Sequence, residues 1–467
     1  MKVSKVLSSL ALGMFLAALD QTVMSTASLT ISQHFNHVAD QSWLMTTYIA
    51  ASLLTTPIYG RLSDSYGRRR LFSIGLTLFA LGSIFAAIAG SFDQIIIARA
   101  VQGLGAGGLF SLAFAVIADV LPIKERGRYV LLFVLIFGSA SILGPVLGGV
   151  IASQISILGL GGWRWIFIFN LPFLLVALIQ ASKHLPSVSH KEVGVFDWSG
   201  TTFFGLSIFG VLAVAQTSRS DYSAITRGSF AILLILSLIA FLIAERRKGA
   251  NALFPPHFFK NKALTLTVLT SAVGSGAMLI AMSISALSIQ IVEHRSPAIA
   301  GVVLLAMGVG NLFGSGYANR IFSREKSHRL LAAIGLLFIC GGFIPMIFST
   351  KIDSISVGLF LLGIGSGLIN QFTSVTAPST IGKENRGSAS SINTLLRQLG
   401  GLIGVSAAMA TVFYFWKVPA DFTVIGLSQE ERNTFFSAVK PVYIATAIIV
   451  FIMALLARLI PTMETAK

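Results

Sequence analysis

Residues 59–72 read YGRLSDSYGRRRLF and place four arginines and one aspartate inside a chain that is otherwise almost continuously apolar. On each side of this segment lies an apolar run of about 20 residues, the length that a helix needs to cross the hydrocarbon core of a membrane. The segment is therefore predicted to be a water-exposed connection between two membrane helices.

The composition excludes a soluble globule. Of the 467 residues, 54% are hydrophobic and only 11% are charged, too few polar side chains to cover a water-soluble surface. Apolar windows bounded by charges and by Gly/Pro clusters predict fourteen membrane helices. The sequence thus predicts an all-α integral membrane protein, and the even number of helices places both termini on one side.

The formal net charge of +16 is explained by topology. Most of the 34 Lys and Arg residues fall on one side of the membrane if the N-terminus is cytoplasmic, as the positive-inside rule requires. Both termini are therefore predicted to be cytoplasmic. Nucleic acid is not a predicted partner, because the basic residues form no single water-facing surface, whereas anionic membrane lipids are.

The sequence lacks the signatures of an enzyme. Its one cysteine, Cys340, lies inside an apolar run, so neither a disulfide framework nor a zinc site is predicted. No phosphate-binding loop and no constellation of catalytic side chains occurs at membrane depth. We predict no enzymatic activity, no cofactor and no metal site. The absence of disulfides and the positive-inside bias fit the plasma membrane of a bacterium.

The chain contains an internal repeat. Residues 99–128, RAVQGLGAGGLFSLAFAVIADVLPIKERGR, have a counterpart in residues 359–388, LFLLGIGSGLINQFTSVTAPSTIGKENRGS. The repeat predicts a six-helix bundle over 1–182, two additional helices with their linkers over 183–262, and a second six-helix bundle over 263–467. Repeated halves that form a site between them are characteristic of secondary transporters.

Four ordered motifs resemble the major facilitator superfamily, and within it the fourteen-helix drug:proton antiporter group. The segment at 59–72 resembles the signature of the loop after helix two, ARAVQGLGAG (98–107) that of helix four, and GSASILGPVLGG (138–149) the antiporter signature of helix five. ALDQTVMSTASLTI (18–31) is similar to the first-helix signature of the fourteen-helix group, although Thr30 stands where that signature has proline. WRWIFIFNLP (163–172) is also typical of that group.

The resemblance implies roles for two of these motifs. The loop would be a conformational latch whose charge-assisted hydrogen bonds form in one state and break in the other; the alternatives are a topological anchor and simple helix packing. Its residues are Gly60, Arg61, Asp64, Gly67, Arg68 and Arg69. The helix-five motif would take part in rocking and in preventing proton leak, with close helix packing as the alternative. Its residues are Gly138, Gly144, Pro145, Gly148 and Gly149.

Asp20 is the sharpest candidate for chemistry. A charged side chain at the centre of a membrane helix costs about 2.5–3.5 kcal/mol on insertion scales, so such residues usually face the bundle interior or a water path. Burial favours the neutral carboxylic acid, which allows Asp20 to exchange a proton. The alternative is a permanently paired structural carboxylate with Gln21, Thr22 or Ser25 as local partners.

Arg99 is the second buried charge. By resemblance it lies in a cavity wall on helix four and takes part in handling the proton; the alternative is a structural guanidinium bonded to helix carbonyls. Further cavity candidates are Thr22, Gln102, Asn393 and Arg397. The C-terminal half carries no acidic residue at membrane depth, unlike many multidrug members of the resembled group.

These features predict a proton-coupled exporter of amphipathic, cationic drugs or toxic compounds that works by alternating access. Its energy source would be the proton gradient, its partners small amphipathic molecules, protons and lipids, and its functional unit a monomer. A dedicated transporter of a single metabolite, lipid or osmolyte on the same fold is the nearest alternative, and the missing C-terminal acids favour it. A membrane sensor that does not transport is the third.

Overall fold

Long helices make up almost all of the chain in a computed structural model, which describes residues 3–120, 123–154, 156–185, 197–217, 223–249, 252, 256–322, 329–380, 386–416 and 427–461. In the N-terminal part the helices are α1 (Val3–His34), α2 (Ser42–Tyr66), α3 (Arg68–Ile88), α4 (Phe92–Val120), α5 (Ile123–Ala152), α6 (Arg164–His184), α7 (Trp198–Thr217) and α8 (Ala224–Lys248). In the C-terminal part they are α9 (Lys262–Ile291), α10 (Pro297–Phe322), α11 (Arg329–Phe348), α12 (Ile352–Ser379), α13 (Arg386–Trp416) and α14 (Gln429–Ala457). Between α5 and α6 a small antiparallel hairpin pairs β1 (Ser156–Ile157) with β2 (Leu160–Gly161).

Twelve of the described helices are long and apolar enough to cross a membrane. The two that fall outside this set are α2 and α5, and the described side chains of α5 give only a shorter apolar stretch, Gly138–Ala152. The prediction of an all-α membrane protein is confirmed. Of the fourteen membrane spans that the sequence predicts, twelve are found among the described residues.

The chain divides into two compact units, Met1–Thr201 and Thr202–Lys467. In the first unit, α1 packs on α4, α5 and α6, α2 packs on α4, and α3 packs on α4 and α6. In the second unit the same pairs recur with α9 to α14 in the places of α1 to α6. The internal repeat in the sequence is therefore also a repeat of helix packing.

Glycines at equivalent positions allow the same close helix contact in both units. A Cβ atom at Gly105 on α4 would lie 2.4 Å from the carbonyl oxygen of Gly75 on α3. One at Gly365 on α12 would lie 2.3 Å from the carbonyl oxygen of Gly335 on α11. Neither position can carry a side chain without moving a helix backbone, since real Cβ contacts do not occur below about 3.0 Å.

The segment at 59–72 is more helical than a loop. Helix α2 continues to Tyr66 and α3 begins at Arg68, so that Gly67 alone joins them. Gly67 has φ = 86° and ψ = 139°, a conformation that other residues rarely adopt. The prediction of a connecting loop is wrong about the backbone: Arg61 lies in α2, the three arginines at 68–70 lie in the first turn of α3, and Gly67 makes the corner.

Candidate functional site

Asp20 lies in the middle of α1 and is almost completely buried, with 1% of its surface exposed. Arg99, on α4, is fully buried. The close packing of α1 on α4 brings the two side chains together, and Arg99 Nη1 donates a hydrogen bond to Asp20 Oδ2 in a buried ion pair. Two residues that the sequence singled out separately thus form one site.

The remaining bonds of Arg99 hold its guanidinium in place. Its Nε donates to the main-chain carbonyl of Leu44 at 2.9 Å, and its Nη1 also donates to Gln102 Oε1 at 2.8 Å. The guanidinium carbon lies 4.4 Å from the centre of the Tyr48 ring, a cation–π contact. The Nη2 atom is buried and has no hydrogen-bond partner in the part of the chain that the structure describes, so the pair is not a fully satisfied structural unit.

Two buried amides complete the shell of Asp20. Gln102 Nε2 lies 3.4 Å from Asp20 Oδ1 and donates to Ser83 Oγ at 2.9 Å. Asn170 Nδ2, on α6, donates to the same Asp20 oxygen at 3.3 Å. The carboxylate therefore contacts side chains from α4 and α6, while α3 supports the glutamine.

Thr22 and Ser25, two of the local partners named in the alternative for Asp20, bond main-chain carbonyls instead. The Thr22 hydroxyl donates to the main-chain carbonyls of Ala18 and Leu19, and the Ser25 hydroxyl donates to that of Thr22. Hydroxyl groups on a helix often bond the carbonyl one turn back, which leaves the carboxylate to partners on other helices. The Arg99 side chain is enclosed by packed helices, and its place in a cavity wall stays a prediction.

A small cavity reaches Asp20 from the side of α5 and α6. It leaves about 10 Å³ in which the centre of a water molecule can lie, and its polar walls are Asp20 and Asn170. Apolar residues of α1, α5 and α6 form the other walls, among them Leu147, Ile166 and Phe169. Arg99 and Gln102 do not line this cavity. The Asp20 carboxylate therefore faces α4 on one side and the cavity on another.

The helix-five motif lies against α1. A Cβ atom at Gly144 would lie 2.0 Å from Thr22 Oγ1, and the hydroxyls of Thr22 and Thr26 donate to the carbonyls of Ala140 and Pro145 at 3.0 and 2.9 Å. A Cβ atom at Gly148 would likewise lie 2.5 Å from the carbonyl oxygen of Val23. Gly138 and Gly149 lie on the same helix, α5. The motif thus sets the distance between α5 and the helix that carries Asp20.

The latch candidates cluster at the corner between α2 and α3. Arg68 Nη1 donates to Ser63 Oγ and lies 3.5 Å from the carbonyl oxygen of Gly60. Arg69 is half-buried in the first turn of α3. The side chains of Arg61 and Asp64 lie outside the described residues, so their predicted part in a latch stays a prediction.

The predicted cavity residues of the second unit lie on α13. Asn393 is buried, and its Oδ1 atom has no hydrogen-bond partner within the described ranges. Arg397 lies one turn further along the same helix and is half-buried. Towards the other end of α13, Ser406 and Tyr414 line an apolar groove of about 430 Å³ against α7 and α8. Neither Asn393 nor Arg397 lines this groove.

Sequence reasoning missed three members of the site: Tyr48, Ser83 and Asn170. Asn170 carried a usable signal, since an amide within the apolar motif WRWIFIFNLP needs a partner in the membrane. Tyr48 and Ser83 carried none, because a single tyrosine or serine is common in membrane helices.

A buried ion pair inside one of two repeated helical units is typical of a secondary transporter rather than an enzyme. The chain belongs to the Major Facilitator Superfamily, whose family model matches residues 10–405. It is a multi-pass membrane transport protein. The resemblance to this superfamily drawn from the four motifs is thereby confirmed.

The similar proteins include efflux pumps. The chain is 30% identical over 407 residues to "Multidrug resistance protein 3" of Bacillus subtilis (strain 168). The aligned region covers 86% of this chain and 78% of that protein. It is 27% identical over 407 residues to "Multidrug transporter protein MdtP" of the same organism, covering 86% and 73%. The crystal structure of a bacterial homolog of the human lysosomal transporter Spinster, inward-facing and unoccupied, has a TM-score of 0.70 at 15% identity and covers 98% of this chain and 96% of that one. This last likeness concerns the fold alone.

Proposed function

We propose that this transporter exports amphipathic, cationic compounds in exchange for protons by alternating access. The observation that carries the proposal is the buried pair of Asp20 and Arg99. Its support from relatives is that proteins about 30% identical to the chain are named multidrug resistance proteins or transporters.

The pair provides two electrostatic states. With Asp20 ionised, the carboxylate and the guanidinium attract each other and hold α1 against α4. With Asp20 protonated, that attraction is lost and Arg99 remains as an uncompensated buried cation, which costs several kcal/mol. Proton uptake would therefore favour a conformation in which Arg99 finds other partners, and a ligand can shift such an equilibrium only by this kind of differential interaction.

A cationic substrate can use the same carboxylate. If the cation and the proton compete for Asp20, binding of one requires release of the other, and this competition is the exchange step of an antiporter. The conformational part of the cycle is assigned to the corner at Gly67 and to the α1–α5 contact at Gly144.

The finer features of the proposal follow the sequence. They are membership of the fourteen-helix drug:proton antiporter group, fourteen membrane spans with α2 and α5 included, cytoplasmic termini, function as a monomer and a place in the plasma membrane of a bacterium. The long helices α2 and α5, of 25 and 30 residues, support the span count by their length.

A dedicated exporter or importer of one metabolite, lipid or osmolyte is the second candidate. It is favoured by the second unit, in which Leu359 and Leu362 stand at the repeat positions of Arg99 and Gln102. A unit without charge at this place offers fewer ways to hold varied cations.

The deciding experiment uses purified protein in vesicles with an imposed pH gradient. Internal pH is followed while unrelated cationic and neutral amphiphiles are added, with Asp20→Asn as the control. Proton release on adding several unrelated cations, absent in the control, supports multidrug/proton antiport through Asp20. Release with one compound class alone supports the dedicated transporter, and release that persists in the control rules out Asp20.

A further inference from the structure

The cavity beside Asp20 has the size of one water molecule. The space open to a water centre is about 10 Å³, near the lower limit of about 10–15 Å³ that a buried water needs. Such a water also needs at least two polar partners. Asp20 and Asn170 supply them, and both side chains are more than nine-tenths buried.

Both partners have hydrogen-bonding capacity left. Among the described residues, Asp20 Oδ1 receives two long bonds, from Asn170 at 3.3 Å and from Gln102 at 3.4 Å, while a carboxylate offers about four acceptor sites in all. The Asn170 amide nitrogen carries two hydrogens, and one bond to Asp20 uses one of them. The second hydrogen is available to a water in the cavity.

The other groups around Asp20 do not compete for this place. The charged or titratable side chains that face the carboxylate from the described parts of the neighbouring helices are Arg99 on α4 and Tyr48 on α2. Neither lines the cavity. The Tyr48 hydroxyl donates to the carbonyl of Ala17 at 2.9 Å and is thereby directed to the main chain.

We propose that this cavity holds one water molecule, bound between Asp20 and Asn170, through which Asp20 exchanges its proton. On loading, an O–H bond of a hydronium ion at this place breaks and the O–H bond of the Asp20 carboxylic acid forms, leaving neutral water; unloading is the reverse. Asn170 is a positioning residue that holds the water and the carboxylate together. The inference rests on the proposed function, because it gives that function its route for the proton.

The first test separates proton exchange from substrate movement. In vesicles, Asn170→Leu removes the amide at similar volume. It should lower proton-driven efflux by about tenfold or more, a part of the roughly 10²–10⁴-fold that a positioned proton-transfer group contributes. The rate at which internal substrate exchanges for external substrate, which moves no net protons, should change by no more than about twofold. This exchange does not involve proton transfer to Asp20. Asn170→Ser, which supplies a hydroxyl in place of the amide and leaves room for water, should retain most of the efflux of the unaltered protein.

Gln290→Leu is the matched control, because it removes another buried amide from a membrane helix in the second unit, α9. An equal loss of efflux and exchange in Asn170→Leu would reduce Asn170 to a structural role and overturn the proposal. Unchanged efflux in Asn170→Leu, or the same selective loss in Gln290→Leu, would overturn it as well.

The second test does not depend on transport. Infrared spectroscopy of the purified protein, at a pH low enough for Asp20 to carry its proton, follows hydrogen–deuterium exchange of that group, and the carboxylic-acid band of Asp20 is assigned by its absence in Asp20→Asn. Exchange should be slower in Asn170→Leu than in the unaltered protein and in Gln290→Leu; equal rates would refute the water site. If vesicles show no coupling to protons at all, the proposed function fails, and this measurement still decides the water site.

Discussion

Arg99 and Asp20 are separated by 79 positions in the sequence, yet their side chains form a fully buried ion pair between α4 and α1. The arginine is fixed by the carbonyl of Leu44 and by Gln102, whereas the partners of the aspartate within the described ranges are side chains. Protonation of Asp20 is therefore the change that destabilises this site most, because it leaves the fixed cation of Arg99 without its counter-ion.

Removing one charge of the pair should destabilise the protein more than removing both. Asp20→Asn leaves Arg99 buried without a counter-ion, at a cost of about 3–5 kcal/mol, whereas replacing a whole buried pair is often neutral. We expect a lower midpoint of thermal unfolding in detergent for Asp20→Asn and recovery of much of that loss in Asp20→Asn combined with Arg99→Leu. Proton-driven efflux should be absent from both.

The choice of leucine follows the repeat, since Leu359 stands at the position equivalent to Arg99. A double variant that is less stable than Asp20→Asn would show that Arg99 stabilises the bundle by its other bonds alone. Efflux restored in the double variant would remove the pair from the transport cycle.

The contact between α1 and α5 should tolerate no side chain at Gly144. An added Cβ would lie 2.0 Å from Thr22 Oγ1 and 3.1 Å from the main-chain nitrogen of Val23, and overpacking of this kind costs about 1–3 kcal/mol. Gly144→Ala should lower the unfolding temperature and the efflux rate. Gly341→Ala on α11, where nothing lies within 4 Å of an added Cβ, is the control and should change neither. Equal behaviour of the two variants would contradict the role given to this contact.

The corner between α2 and α3 should depend on Gly67 and not on Gly60. Gly67 has a positive φ of 86°, and forcing another residue into such a conformation costs about 1–3 kcal/mol. Gly67→Ala should therefore reduce efflux and thermal stability together. Gly60→Ala places its methyl group in open space and should leave the folded protein as stable as before. A stable and fully active Gly67→Ala protein would show that the corner is not needed in this form.

The sequence alone predicted the membrane class, the repeat and the separate importance of Asp20 and Arg99. Hydropathy and charge are local signals, and a buried charge in an apolar helix is visible without knowing its neighbours. The partners of these two residues could not be predicted from the sequence. Asn170 meets Asp20 across 150 positions, and only the packing of α1 on α6 makes them neighbours.

Two errors share one physical origin. Thr22 and Ser25 look like partners of Asp20 because they are close in sequence, yet their hydroxyls bond main-chain carbonyls on their own helix. The charged segment at 59–72 looks like a loop because charge is rare inside the membrane, yet helices can extend beyond the hydrocarbon layer with their polar ends in water. The loop predicted from charge was therefore wrong about the backbone conformation of this segment.

Coupling should involve one proton per cycle, because the second unit has leucines at the repeat positions of Arg99 and Gln102. The repeat keeps the glycine contacts on α12 but replaces Arg99 and Gln102 by Leu359 and Leu362. Exchange of one proton for one monovalent cation moves no net charge. Efflux of a monovalent dye at a fixed pH gradient should then not respond to membrane potential, whereas transfer of one net charge would change the driving force by about 2.3 kcal/mol per 100 mV.

The measurement uses vesicles in which a potassium diffusion potential is set independently of the pH gradient. A divalent dye of similar size serves as the comparison: its exchange for one proton moves one net charge, so its efflux should respond to the potential. Efflux of the monovalent dye that rises with the potential would mean that a second charge moves in each cycle. The second unit would then have to supply the additional site, with Arg397 and Asn393 on α13 the first residues to replace.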